Sequence, residues 1–186
     1  MTFKAVLDAC TLFPAHLRDT LLRLAERGLY AALWSDDILD ELQRSLVRRG
    51  ISEVSVEKLL AALQRAFPES EVRGYRPLIQ SMTCDHKDRH VLAAAVSAGA
   101  DVVVTFNTAD FPASSVDAHE IEVIEPDEFL LYLLDVDATA VIDELRAQAA
   151  ANRHAPQTLS ELAGALARAG VPRFAAQAAW AGGVSS

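Results

Sequence analysis

Cysteine is scarce in this 186-residue chain: Cys10 and Cys84 are the only two. That excludes a disulfide scaffold, and reduced thiols are expected. Each cysteine lies close to an acid, Asp8 or Asp85, so an oxidation sensor stands beside the plainer reading of two small buried residues. No apolar window reaches the length needed to span a bilayer, and no basic segment leads a long apolar stretch. A soluble, cytoplasmic protein with no membrane association is expected. Phosphate-binding glycine loops, nucleophile elbows and zinc-ligand spacings are also missing, the last of these around each of His16, His86, His90, His119 and His154. Zinc chemistry and dinucleotide binding are therefore not supported.

Positive charge is missing from one long stretch. No Lys or Arg occurs from Asp101 to Leu145, and residues 101–186 hold 4 basic against 13 acidic side chains. Residues 1–100 hold 13 of each, so the whole net charge of −9 belongs to the second part of the chain. A nucleic acid would have to approach over the first part, where Arg18, Arg23, Arg27, Arg44, Arg48, Arg49, Arg65, Arg73, Arg76 and Arg89 lie. The alternative for any one of these arginines is a solvated helix face.

The apolar residues that are present alternate between strand-like and helix-like patterns. Strands are expected at 3–7, 30–34, 71–75, 101–105 and 121–124. Helices are expected at 12–28 (interrupted at Pro14), 36–49 behind the cap Ser35, 54–66, 85–99 and 126–135. This order predicts an α/β fold with a mainly parallel sheet and helices on both faces. Residues 1–135 are expected to form that domain. Residues 136–186 are expected to form an Ala-rich helical extension, with helices at 138–152, from 158, and at 172–180.

Ligand sites in parallel sheets form beyond the C-terminal ends of the strands, where Asp8 and the segment 105–107 are placed. An aspartate closing a buried apolar strand is costly unless it is paired or bound to a cation, which makes Asp8 a functional candidate, with a capping role as the alternative. At about 100° per residue, Ile38, Leu39, Leu42 and Leu46 form an apolar stripe flanked by Glu41, while Asp40 faces water. In the helix expected from residue 85, the phase of Val91, Leu92, Ala95 and Val96 points both Asp85 and Asp88 towards the sheet. Asp85 has a second reading as the N-cap. Thr105 and Asn107 are candidates for holding a metal water or a phosphate oxygen, and Asp110 is a candidate turn former with Pro112. Gathered carboxylates repel one another unless they are protonated or bridged, and a hard divalent cation is their natural partner.

Four segments carry a family resemblance: Val6-Leu7-Asp8-Ala9-Cys10-Thr11, Ile38-Leu39-Asp40-Glu41-Leu42, residues 85–95 from Asp85-His86-Lys87-Asp88 onward, and residues 104–112 around Thr105-Phe106-Asn107. In that order they resemble the PIN-domain ribonucleases, especially the VapC-type toxins of bacterial toxin-antitoxin pairs. The resemblance covers residues 3 to 135 or so. It implies a PIN-like three-layer α/β/α fold followed by C-terminal helices, and RNA phosphodiester hydrolysis with Mg2+ or Mn2+. It also implies an acidic core of Asp8, Glu41 and Asp88 with Asp85 as an added metal ligand, and Asn107 as a further catalytic position where many members carry Asp. That departure removes one negative charge and favours one metal over two unless Asp85 or Asp110 compensates. Thr11 and Thr105 would position substrate. A cognate antitoxin and a homodimer are the partners it implies. Three rivals remain: a PIN-type housekeeping nuclease without an antitoxin, an inert interaction module, and a haloacid-dehalogenase-type phosphatase. Asp8-Ala9-Cys10-Thr11 argues against the last, because Cys10 replaces the second aspartate of that family's opening motif.

Overall fold

A computed structural model describes residues 3–183. The chain packs into two compact units, one made of the residues up to Phe13 with Tyr30–Ile124, the other of Pro14–Leu29 with the residues from Glu125 onward.

The first unit is built on four strands, β1 (Lys4–Leu7), β2 (Ala31–Leu33), β3 (Val102–Val104) and β4 (Glu122–Ile124). They lie in the order β2-β1-β3-β4, and every neighbouring pair is parallel. Val6 is opposite Leu33 on one side and Val103 on the other. Ala5 to Leu7 and Val102 to Val104 are fully buried. Continuous apolar runs of this kind suit parallel strands buried on both faces rather than half-exposed ones. From β1 the sheet grows in one direction to β2 and in the other to β3, so a crevice opens beyond the C-terminal ends of β1 and β3.

The helices of this unit are α1 (Ala9–Leu12), α3 (Asp36–Arg48), α4 (Glu53–Ala66), α5 (Arg89–Ala98) and α6 (Ala113–Val116). Ser35 starts α3 by accepting the Ile38 N–H at 3.2 Å, and Ile38, Leu39, Leu42 and Leu46 form its buried stripe. Glu41 is half-buried on the flank of that stripe and Asp40 is exposed, as the helical phase predicts. Helix α5 packs on β1 and β3 and ends at Gly99, whose φ of 58° is the left-handed conformation a glycine adopts without steric cost.

Two local expectations give way. Residues 71–75 make a single parallel bridge, Trp34 to Glu71, instead of a strand. Gly74 at φ 76° and the 3-10 turn Arg76–Ser81 end the pairing there. The helix expected from residue 85 begins at Arg89 and is preceded by a 3-10 turn over His86–Asp88, because Asp85 accepts the Lys87 N–H at 3.1 Å and holds the chain in a tighter turn.

The second unit is helical: α2 (Ala15–Glu26), α7 (Pro126–Val136), α8 (Ala138–Ala151), α9 (Leu159–Arg168) and α10 (Pro172–Ala181). Buried Gln148 ties α8 to α2, accepting from the Thr20 hydroxyl at 2.7 Å and donating to the His16 carbonyl at 3.0 Å. Asp127 of α7 accepts from the N–H groups of Arg173 and Phe174, at 3.2 and 2.8 Å, and so caps α10 from a neighbouring helix. Thr158 and Glu161 form a capping box at the start of α9. Among the described residues no helix is long and apolar enough to cross a membrane.

Candidate active site

Asp8 ends β1 and caps α1, and it is 3% exposed. Its Oδ1 accepts the Ala9 N–H at 2.6 Å. Its Oδ2 accepts the Thr105 hydroxyl at 2.7 Å and the Cys10 thiol at 3.1 Å. Its own N–H continues the ladder to the Val104 carbonyl at 3.1 Å. Three donors and a helix start therefore offset much of the cost of burying this carboxylate. The capping role is therefore taken by the same side chain that the sequence offered as a functional candidate.

Asp88, the last residue of the 3-10 turn before α5, is 5% exposed, and its Oδ2 is buried without a hydrogen-bond partner. Burial first, and then the charge of Asp8, push its carboxyl up to about 7; Asp110 and Asp85 push the same way while Lys87 opposes them. Lys87 Nζ is 3.9 Å from Asp88 Oδ2, too long for a hydrogen bond, and 3.0 Å from Asp110 Oδ2. Asp110 lies in the 3-10 turn Thr108–Asp110, and its carbonyl accepts the Asp85 N–H at 2.9 Å. That bond brings the segment after β3 against the segment before α5. Asp85 itself is exposed and caps the 3-10 turn instead of facing the sheet, because the helical phase used to orient it begins four residues later.

Glu41 of α3 reaches His90 of α5, with 3.5 Å between Oε2 and Nε2. The hydrogen bond and charge of His90 hold the Glu41 carboxyl below its ordinary range, against the effect of burial. Burial would lower His90, but the hydrogen bond and charge of Glu41, with Asp37 and Asp8 beyond, outweigh it and raise it. Sequence reading set His90 aside with the other histidines for want of zinc spacing. Its carboxylate partner is on a different helix, 49 positions away, and no local pattern signals it.

Thr105 is fully buried, donating to Asp8 and accepting the Asn107 N–H at 3.1 Å. Asn107 is exposed at the start of the next turn. Thr11, also fully buried, donates its hydroxyl to the Val104 carbonyl at 2.9 Å, and that contact fastens α1 to β3. Cys10 is half-buried against Asp8 and Thr105, and burial with the Asp8 charge pushes its thiol up to about 12, which leaves it a poor nucleophile.

Asp8, Asp85, Asp88 and Asp110 thus share one electrostatic neighbourhood, with Lys87 as its cation, while Glu41 is paired to His90 nearby. As the side chains stand, no three His, Cys, Asp or Glu residues among the described residues are grouped to hold a metal ion. The donor chemistry still fits a hard cation: a buried carboxylate oxygen that accepts no hydrogen bond, opposed by three more carboxylates, is a group that a divalent ion would keep ionised.

The family model for the PIN domain matches residues 4–109, which is more than half of the chain and includes Asp8, Glu41, Asp88, Thr105 and Asn107. The chain belongs to the PIN-domain family. The model described as the VapC50 C-terminal domain matches residues 126–179, which correspond to α7 through most of α10. A protein of Mycobacterium tuberculosis (strain ATCC 25618 / H37Rv) named "Putative ribonuclease VapC50" is 41% identical over 105 residues, 56% of this chain and 62% of that protein. The match therefore spans less than two thirds of the relative's length. No solved structure matches. A four-stranded, all-parallel sheet flanked by helices, with further helices after it, is the PIN-like α/β fold the sequence led us to expect.

Proposed function

We propose that this PIN-domain protein is a Mg2+- or Mn2+-dependent endoribonuclease and the toxin of a type II toxin-antitoxin pair. The observation that carries the reading is Asp88: a buried carboxylate oxygen that accepts no hydrogen bond, its ionisation opposed by Asp8, Asp110 and Asp85 more than Lys87 at 3.9 Å supports it. Such an arrangement favours a cation. Asp8 and Asp88 would hold the ion with Glu41, and Asp85 would join them only by leaving the turn it caps. Once bound, a divalent ion acidifies water and stabilises charge on a phosphoryl oxygen.

The protein's own groups have separable tasks in this reading. Thr105 fixes the orientation of Asp8, and His90 fixes that of Glu41. Asn107, exposed beside Thr105, presents its amide to a phosphate oxygen, and Thr11 secures the backbone on which Asp8 sits. Asn107 brings no charge to the site, so a single ion is the resting state. The relative's name supports an RNA substrate, and an RNA substrate and a cytoplasmic location follow together. A small antitoxin would neutralise the acids with an arginine, and the active form would be a homodimer.

The test is cleavage of single-stranded and structured RNA by the purified chain, with Mg2+ or Mn2+ and with chelator. Metal-dependent cleavage that is lost in Asp8→Asn and Asp88→Asn supports the proposal. Full activity in both variants ends the assignment to these acids, and no cleavage by the parent with either metal ends the nuclease reading and leaves the interaction module.

A further inference from the structure

A cavity of about 480 Å³ opens next to the acids, lined by Ala9, Cys10 and Phe13 around α1 and by Glu41, Ser45, Arg48 and Arg49 around α3. Its volume lies in the range of about 300–1,000 Å³ typical of small-molecule sites. Glu41, Ser45 and Arg48 are spaced by four and three positions, so they run along a single face of α3. At about 1.5 Å per residue, Arg48 lies roughly 10 Å along the helix from Glu41. The groove therefore has an acidic end at the candidate metal site and a basic end one nucleotide's reach away.

The basic end is open to an anion from outside. Elsewhere in the first unit Arg73 pairs with Glu71, and Arg76 pairs with Asp36 and Asp37. Arg48 and Arg49 are exposed and have no carboxylate partner among the described residues. Unpaired guanidinium groups on a protein of net charge −9 remain available to an anion from outside. Phe13 adds an aromatic wall, and an aromatic face accepts any base by stacking.

We infer that this groove is the subsite for a nucleotide flanking the scissile phosphate of a single-stranded RNA, with its phosphate on Arg48 and Arg49, its base against Phe13 and Ser45 at hand for a sugar hydroxyl. The inference rests on the ribonuclease reading, and it specifies the side of the acids from which the strand is held. Single strands suit the groove because stacking on a protein aromatic needs an unpaired base.

Binding can be read without cleavage, by titrating a short fluorescent single-stranded RNA into the full chain in chelator over a range of salt. Losing the one phosphate held by both arginines should reduce the slope of log affinity against log salt by about 0.7, the value per neutralised phosphate of a single strand. R48A/R49A should show that decrease with at least a tenfold loss of affinity, and F13A at least a threefold loss with the slope unchanged. K58A/R65A, which removes two exposed positive charges from α4, controls for net charge and should change affinity less than twofold. Circular dichroism verifies that each variant is folded. Unchanged affinity and slope in R48A/R49A, or an equal loss in K58A/R65A, overturns the subsite. A chain that binds RNA in this way but never cleaves it would refute the nuclease reading and leave the groove standing.

Discussion

The Thr105 hydroxyl at the end of β3 donates to Asp8 Oδ2 at the end of β1, over 2.7 Å and 97 positions of sequence. This bond joins the two strand ends that flank the crevice, and it does so in a fully buried place. Thr105→Val keeps the shape and removes the donor. A charge-assisted hydrogen bond of this kind contributes about 1.5–3 kcal/mol, so the variant should lose stability by that order in urea melts. Its kcat should fall while RNA affinity stays within about twofold. Thr11→Val, whose hydroxyl goes to a backbone carbonyl, should cost about 1 kcal/mol and lower kcat less than Thr105→Val does, since it touches Asp8 only through the backbone.

Asp88 should trade stability for function. Its carboxyl is raised in the folded state, to about 7 from an ordinary 3.8, so folding favours the protonated form. The sign follows from linkage: stability falls as pH rises from about 4 to about 7, where the unfolded chain has lost the proton and the folded chain still holds it. Asp88→Asn removes that loss. The metal-free variant should be more stable than the parent at pH 7.5 by about 1 kcal/mol or more, and about equal to it at pH 4, as read by thermal melts at both pH values. It should not cleave RNA.

The contact between Glu41 and His90 favours the fold within a pH window, so removing it should destabilise the chain where removing the Asp88 charge stabilises it. Glu41 is lowered and His90 is raised, so the contact stabilises the fold above the ordinary carboxylate pKa of 4.5 and is lost as pH rises through the raised histidine value. Glu41 is 44% exposed, so solvent screening keeps the contribution under about 1 kcal/mol. His90→Ala should lower the melting temperature near pH 6 by a few degrees at most and have less effect near pH 8.5. If the histidine orients Glu41, kcat falls and His90→Gln, which keeps a donor, recovers part of it.

Cys10 should resist modification. With its thiol pushed up to about 12, the thiolate is negligible at neutral pH, and iodoacetamide labelling at pH 7.5 should be far slower than for a free cysteine. Peptide mass analysis after timed labelling measures this.

Much of the fold was legible because short apolar runs and helical stripes are local signals. Val102 to Val104 read as a buried strand, and the stripe Ile38, Leu39, Leu42 and Leu46 oriented Glu41 and Asp40 correctly. Asp88 is buried as expected, although it precedes α5 and the helical phase used to aim it does not reach it. Asp85 was not legible, since its side chain holds a 3-10 turn and interrupts the phase that would have aimed it inward. The contacts of His90 with Glu41 and of Lys87 with Asp110 arise when α3, α5 and the segment after β3 come together, and no periodicity encodes that meeting. The grouping of Pro14–Leu29 with the residues from Glu125 onward was hidden likewise: an apolar stripe on α2 announces that it will be buried without naming the helix that buries it.

The central claim is that Asp8 and Asp88 gather negative charge for a divalent cation. Calorimetric titration of Mn2+ at pH 6.5 and pH 8.5, in two buffers of different ionisation enthalpy, tests it most directly. One ion should bind, with displacement of part of the Asp88 proton at pH 6.5, almost none at pH 8.5, and no binding in Asp8→Asn. No heat at millimolar Mn2+, or equal binding by the parent and Asp8→Asn, would contradict it.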